Sequence, residues 1–183
     1  MRRPDGSVAY GAMLMLNLDR YLEAQNQPHT GFASALAEIR AGGKRGHWIW
    51  YVFPQLAGLG RSGPSLQYAI ADLSEARAYL QHPELRSRLL AITSAVAEQA
   101  RQGHRLADVM GSSIDLTKLV SSLTLFAHVA RQLSVAEGRD TYGDLVAAAK
   151  EVLAAAAEQG YPPCRFTLDR LGAHDAGEDT RPA

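Results

Sequence analysis

The segment G-K-R-G-H-W-I-W-Y-V-F-P-Q, residues 43–55, decides the fold that this sequence predicts. It holds both tryptophans of a chain in which only 7% of the residues are aromatic. Such large side chains favour burial, while each indole N–H still needs a partner. The run W-I-W-Y-V-F alone is compatible with a buried strand or with a helix. Because the sequence offers no partner strand, we predict a short helix over residues 47–53 that ends at Pro54.

Helix signals fill most of the chain on both sides of this segment. Predicted helices cover residues 18–25 and 31–41, capped by Asn17 and Thr30. Others cover residues 65–71, a segment capped by Ser74, and residues 84–102, 106–110, 115–133 and 142–159. We therefore expect an all-α fold, a single compact multi-helix domain of seven to nine helices with no substantial sheet.

The two ends of the chain differ from its middle. Residues 1–15 lack periodicity and are rich in Gly and Pro, so we expect a disordered N-terminal extension. Residues 172–183 are small and polar and are predicted as a disordered C-terminal tail. Residues 16–171 then form the helical domain, and an apolar content of 46% is sufficient for one core.

The charge balance and the cysteine content of the chain argue against several classes of binding protein and of metal site. Nineteen basic residues balance nineteen acidic ones, so the chain has no net field to attract nucleic acid or an anionic membrane. No stretch approaches the length of a transmembrane helix, and no signal peptide pattern opens the chain. Cys164 is the single cysteine, which excludes an internal disulfide and a multi-cysteine metal site. We expect a cytoplasmic protein that binds neither nucleic acid nor membrane.

A second informative segment is D-L-T-K-L-V-S-S-L-T-L-F, residues 115–126. At 100° per residue, Asp115, Lys118 and Ser122 form a polar stripe beside an apolar face. An apolar floor with a few polar groups is typical of a pocket wall. Composition alone favours a simpler interpretation, an ion pair between Asp115 and Lys118 and a serine that bonds back to the helix backbone.

The aromatic segment also carries polar candidates. Lys44 and Arg45 lie in the turn before the predicted helix, where cations and free backbone N–H groups together predict a phosphate site. A solvated loop is the alternative for these two cations. His47 is predicted to share a helical face with Trp50 and Tyr51. For the aromatic residues the alternative is the core, which we expect to take at least one tryptophan.

Motifs for metals and cofactors are missing from the sequence. The histidines are scattered without the spacing of metal ligands, and no P-loop, G-x-S-x-G or dinucleotide-binding glycine pattern occurs. The loop G-L-G-R-S-G, residues 58–63, follows no strand, so we do not predict that it binds phosphate. Its glycines permit close approach to a neighbouring helix. We predict no metal and no cofactor.

The longer run K-R-G-H-W-I-W-Y-V-F-P-Q-L-A-G-L-G-R-S resembles the signature of the domain-of-unknown-function family 1810. The elements Y-A-I, E-A-R-A-Y-L-Q-H-P-E-L and D-L-T-K-L-V-S-S-L-T-L-F extend the resemblance to residues 17–133. It implies a compact all-helical bacterial cytoplasmic protein. The chain departs from the family at Gly46, where members often carry Ser, and at Cys164, where they carry an acidic residue. The family fold in turn resembles the NADAR group, which acts on N-glycosidic bonds of ADP-ribose or phosphoribosyl compounds.

These features lead to two hypotheses of function. In the first, the two segments form a pocket for an ADP-ribose-like or other phosphorylated nucleoside compound, with Lys44, Arg45 and Lys118 on the phosphate. His47 or Asp115 would transfer a proton, and fold analogy alone suggests hydrolysis of an N-glycosidic bond. The other predicted ligand contacts are Trp48, Trp50, Gln55, Tyr68, Ser121 and Ser122. The alternative is a non-enzymatic structural or protein-interaction module, so a protein partner stays open.

Overall fold

The computed structural model of this chain describes residues 17–138 and 140–178, with side chains up to residue 173. This part of the chain contains ten helices. They are α1 (Asp19–Gln25), α2 (Phe32–Arg40), α3 (Ile49–Val52), α4 (Gly63–Gln67), α5 (Leu73–Gln81), α6 (Pro83–Arg101), α7 (Leu106–Val109), α8 (Ser113–Glu137), α9 (Gly143–Glu158) and α10 (Arg165–Glu178).

The all-α prediction is confirmed, but the range of seven to nine helices was too low. Within the described residues no sheet forms, and Leu56 and Ile70 make one isolated parallel bridge. The aromatic segment folds as the short helix α3, as its lack of a partner strand suggested. α3 begins at Ile49, two residues later than predicted, so His47 precedes the helix.

Helix α8 is the centre of the fold. It packs against α3, α5, α7, α9 and α10, while α6 joins α2, α5, α7 and α9 along the other side. By length and composition α8 alone among the described helices could cross a membrane, so the expectation that no stretch approaches that length was wrong. In this structure 67% of its most apolar window is buried inside the bundle. Helices that are apolar on most sides are core helices in globular folds, and α8 has that position.

The predicted start at residue 106 is confirmed, whereas the other predicted helix starts were off by one or two residues. α1 and α2 lack side-chain caps, so the caps predicted at Asn17 and Thr30 are wrong. Asp72, not Ser74, caps α5. The helix predicted at residues 65–71 begins two residues earlier and is capped by Ser62. A cap needs an extended backbone as well as a side-chain acceptor, and the sequence shows only the acceptor.

Helix α10 was not predicted at all. It packs on α8, where Thr167 pairs with Ser121, and its residues Thr167 and Leu171 are 0% and 2% exposed. The helix continues to Glu178, beyond Gly172, where the sequence prediction placed the start of a disordered tail. The predicted N-terminal extension, residues 1–15, lies outside the described residues.

The glycine loop before α4 lies against α10. Gly58 has φ 103°, and a Cβ built on it would lie 3.0 Å from Cζ of Phe166. A larger residue would therefore meet the ring and adopt an unfavourable backbone conformation. The close approach expected of these glycines to a neighbouring helix is present at Gly58, and that helix is α10.

Candidate functional site

Three charged side chains from two distant parts of the sequence meet at the first turn of α8. Nζ of Lys44 lies 2.6 Å from Oδ2 of Asp115, and Nζ of Lys118 lies 2.8 Å from Oδ1 of the same carboxylate. The side chains of Lys44, Asp115 and Lys118 are 8%, 15% and 20% exposed. We call these three residues the cation cluster. Its formal charge is positive, because two ammonium groups share one carboxylate.

Each ammonium group of the cluster also faces an indole ring. Nζ of Lys44 lies 5.3 Å from the ring centre of Trp48, and Nζ of Lys118 lies 4.8 Å from that of Trp50. Trp48 is buried, whereas Trp50 is half-buried. The prediction that at least one tryptophan belongs to the core is therefore confirmed by Trp48. Cation–π contacts with tryptophan contribute about 0.5–2 kcal/mol, depending on their desolvation.

Lysine is rare in this chain, yet two lysines lie in the cation cluster. The sequence contains three lysines, Lys44, Lys118 and Lys150, and its other basic residues are arginines. Two of these lysines and both tryptophans meet at one carboxylate. Lysine presents a compact point charge with three rotatable donors, unlike the planar fork of arginine. The cluster therefore gathers two of the three lysines of the chain beside both of its tryptophans.

Glu38, near the end of α2, fixes the loop that carries Lys44. Its Oε2 accepts hydrogen bonds from the backbone N–H groups of Arg45 (2.7 Å) and Gly46 (2.9 Å) and from Nε1 of Trp48 (2.8 Å). Partial burial alone would raise the pKa of Glu38, but these donors outweigh burial and hold that pKa below its usual range.

This clamp corrects the phosphate site predicted at the start of the aromatic helix. The backbone N–H groups of Arg45 and Gly46 already bind a carboxylate of the protein itself. α3 is only four residues long, so its own N-terminus offers little further donor capacity. Glu38 thus takes the place of the anion that the sequence suggested for these backbone groups. Sequence reasoning missed Glu38, because its partners are mainly backbone atoms.

Gly111 allows the loop to approach the start of α8. It has φ 74°, and a Cβ built on it would lie 2.9 Å from the carbonyl oxygen of Lys44. The backbone N–H of Lys44 donates to the carbonyl of Val109 at 2.8 Å. Ser112 then caps α8, its hydroxyl accepting from the backbone N–H of Asp115 at 3.1 Å. These local contacts place Lys44 and Asp115 opposite each other.

The electrostatics of the cluster keep Asp115 ionised. Partial burial alone would raise the pKa of Asp115, but the ammonium groups of Lys118 and Lys44 outweigh it and hold that pKa below its usual range. A carboxylate with a depressed pKa is a weak general base near neutral pH. Holding the two lysines together is therefore the role that the geometry gives Asp115.

His47 and Arg45 lie on the same loop with exposed side chains. The predicted shared face of His47 with Trp50 and Tyr51 does not form, because His47 precedes α3. Gly46, between the two exposed residues, is tightly enclosed: a Cβ there would lie 2.9 Å from Cδ1 of Trp48.

The other predicted contacts are spread over the fold. Tyr68 lies beside Tyr51, with ring centres 5.3 Å apart, on a separate cavity. Gln55 is half-buried near the isolated bridge, where its carbonyl accepts from the N–H of Ile70. Ser121 is buried between α8 and α10, and its hydroxyl pairs with that of Thr167 at 3.2 Å. The structure thus does not bring these three residues to the cation cluster.

Ser122 continues the polar stripe of Asp115 and Lys118 into the interior. It is 0% exposed, and its hydroxyl has no hydrogen-bond partner among the described residues. The predicted bond back to the helix backbone is therefore absent, whereas the predicted ion pair between Asp115 and Lys118 is present. Nε1 of Trp50 is likewise buried without a partner in the described part of the chain. Unsatisfied buried groups of this kind mark places where a water or a ligand atom can bind.

Comparison with known proteins gives a family. The family model described as "Protein of unknown function (DUF1810)" matches residues 15–144, which include the whole cation cluster. A solved structure of the conserved hypothetical protein Rv1873 from Mycobacterium tuberculosis is similar to this chain, with 38% sequence identity and a TM-score of 0.64. That similarity covers 84% of this chain and 94% of the other. Among curated proteins none matches significantly. The chain belongs to the DUF1810 family of proteins of unknown function.

Proposed function

We propose that the protein binds a small phosphorylated compound at the cation cluster. The observation that carries this proposal is the pair of ammonium groups, from Lys44 and Lys118, held on one carboxylate. An ammonium group has three donors, and among the described residues each of these two binds one acceptor. The remaining donors and the residual positive charge suit the oxygens of a phosphate.

Trp50 supports a ligand with an aromatic or sugar ring. The indole is half-buried and already carries Lys118 on its face, so an anionic group at Lys118 brings the rest of a ligand close to this ring. Aromatic stacking adds about 0.5–1.5 kcal/mol beyond the area that it buries. We therefore propose an ADP-ribose-like or other phosphorylated nucleoside compound as the ligand class.

Catalysis is a separate step of the proposal. Hydrolysis of an N-glycosidic bond rests on the resemblance of the family fold to the NADAR group, and a fold does not by itself imply a function. Of the two predicted proton-transfer residues, His47 is the better candidate, because Asp115 is engaged by two cations. The exposed side chain of His47 is accessible to a ligand at this surface.

The test is a thermal-shift screen of the full chain against ADP-ribose, NAD, nucleotides and phosphoribosyl compounds. A ligand at 100 times its dissociation constant stabilises the fold by about 2.7 kcal/mol, which is a shift of several degrees. Lys118→Ala should abolish the shift, and Lys150→Ala, an exposed lysine on α9, should preserve it.

The same screen distinguishes the ligand proposal from the alternative, a non-enzymatic interaction module. Its support is that Asp115 already partners both lysines, as in a structural ion-pair network, and that Ile114 beside it is 68% exposed. If no compound stabilises the wild type, the ligand proposal is wrong and the interaction module is favoured. A shift that survives Lys118→Ala would place the ligand elsewhere on the molecule.

A further inference from the structure

A second concave site lies away from the cation cluster. A cavity of about 300 Å³ opens between α1, Thr30 in the loop before α2, α3 and α4. This is the lower end of the range for small-ligand pockets. The lining residues that matter for its chemistry are Arg20, Glu23, Gln27, Tyr51 and Tyr68.

Arg20 is the cation of this cavity, but its donors are already used. One terminal nitrogen, Nη1, binds the carboxylate of Glu75 at 2.7 Å and the carbonyl of Asn17. The other, Nη2, donates to the hydroxyl of Tyr21 at 2.7 Å and to the carbonyl of Ala69 at 2.9 Å. The fifth donor, Nε–H, is buried, so it does not reach the cavity surface. Arg20 therefore supports the wall and is not a receptor for an anion.

Glu23 and Gln27 supply hydrogen-bond acceptors at the cavity. Glu23 is exposed, and its carboxylate forms no ion pair with any described residue. The amide nitrogen of Gln27 donates to the backbone carbonyl of Glu23 at 3.1 Å, which leaves the amide oxygen of Gln27 as an acceptor. Since Arg20 is neutralised by Glu75, the uncompensated charge at this cavity is negative.

Two tyrosine rings form the aromatic part of the wall. The rings of Tyr51 and Tyr68 lie 5.3 Å apart at 64°, an edge-to-face arrangement. Burial raises the pKa of Tyr51, so its phenol stays neutral, and its hydroxyl donates to the carbonyl of Thr30 at 2.6 Å. Neutral aromatic rings attract cations through their quadrupole.

We infer that this cavity binds a small organic cation with a guanidinium or alkylammonium group. Glu23 and the amide oxygen of Gln27 accept its N–H donors, and the rings of Tyr51 and Tyr68 contact its charge or its apolar stem. The volume suits a small compound and not a folded partner. This inference is independent of the proposed phosphate site, because the two sites share no residue.

The experiment compares butylguanidine with butylurea, which has the same shape and no charge. Each compound is titrated into the full chain while the ring signals of Tyr51 and Tyr68 are followed by NMR with labelled tyrosine. We expect butylguanidine to shift both signals and to bind about tenfold more tightly than butylurea. Added salt should weaken the binding, because an exposed carboxylate is screened.

Two matched variants locate the interaction. Glu23→Gln should weaken butylguanidine binding about tenfold, because it removes the charge and keeps the shape. Glu158→Gln, an exposed carboxylate on α9, should leave it unchanged. Equal binding of the charged and neutral compounds, no binding of either, or equal effects of the two variants would each overturn the inference. A circular-dichroism spectrum like that of the wild type confirms that the Glu23 variant is folded.

Discussion

Lys44 and Asp115 form an ion pair of 2.6 Å that joins the loop after α2 to the first turn of α8. Both side chains are largely withdrawn from water, at 8% and 15% exposure. Removing one partner of such a pair leaves a charge with little solvent around it, which costs more than the pair itself contributes. The pair is therefore a structural link, and it also sets the position of the lysine in the proposed site.

Asp115→Asn should lower the free energy of unfolding by about 1–3 kcal/mol, because two ammonium groups lose their shared counter-charge. Urea denaturation measures this loss. Asp108→Asn is the control, since Asp108 is exposed and its side chain makes no ion pair with a described residue. An Asp115 variant as stable as the wild type would show that the cluster contributes nothing to the fold.

Glu38 should make stability depend on pH in the acid range. Its pKa is lowered in the folded protein, so its contribution is present above its ordinary pKa, about 4.3, and is lost as pH falls through the folded value. Between pH about 5 and 3 the wild type should lose stability more steeply than Glu38→Gln. Denaturation at a series of pH values gives the two slopes. Equal slopes would mean that the three hydrogen bonds of Glu38 are too weak to matter.

Gly111→Ala should cost more stability than Gly103→Ala, although both glycines have positive φ, 74° and 84°. Each substitution carries a backbone cost of about 1 kcal/mol or more. Only at Gly111 would the new Cβ also meet the carbonyl of Lys44, at 2.9 Å, since nothing lies within 4 Å at Gly103. The difference in unfolding free energy between the two variants measures the contact of the loop with α8. Equal losses would contradict the close approach.

Leu171→Ala should destabilise the fold by about 2–4 kcal/mol, because Leu171 is 2% exposed and its truncation leaves a cavity in the core. Leu168→Ala on the same helix is the matched control. Leu168 is 46% exposed, so its truncation should cost less than about 1 kcal/mol. If Leu171→Ala costs as little stability as Leu168→Ala, α10 does not belong to the cooperative core.

The all-α class could be predicted from local patterns, because apolar periodicity and Gly or Pro at the helix ends can be recognised in the sequence alone. α8 shows this best: its apolar face and its Asp115–Lys118 pair are both properties of a single helix. α10 was missed because it begins only two residues after Pro163, and because few apolar residues mark its buried side. Its burial depends on α8 and on the loop at Gly58, which only the tertiary structure brings together.

The candidate site could be predicted only in part for the same reason. Lys44 and Lys118 were both expected at a phosphate, and the pair of Lys118 with Asp115 was predicted, but the contact of Lys44 with the same carboxylate could not be inferred from residues so far apart in the chain. Glu38 gave no signal, because backbone N–H groups are two of its partners. Tyr68 was assigned to the same pocket on residue type alone, and it lies on another cavity.

The most direct test of the central claim uses the scarcity of lysine in this chain. A protein labelled with ¹³C at the lysine ε-carbon gives signals from only three residues, Lys44, Lys118 and Lys150. During titration with pyrophosphate and with ADP-ribose, the signals of Lys44 and Lys118 should move together and saturate, while that of Lys150 stays in place. Equal small shifts of all three signals, or no shift at Lys44 and Lys118, would contradict a phosphate site at the cation cluster.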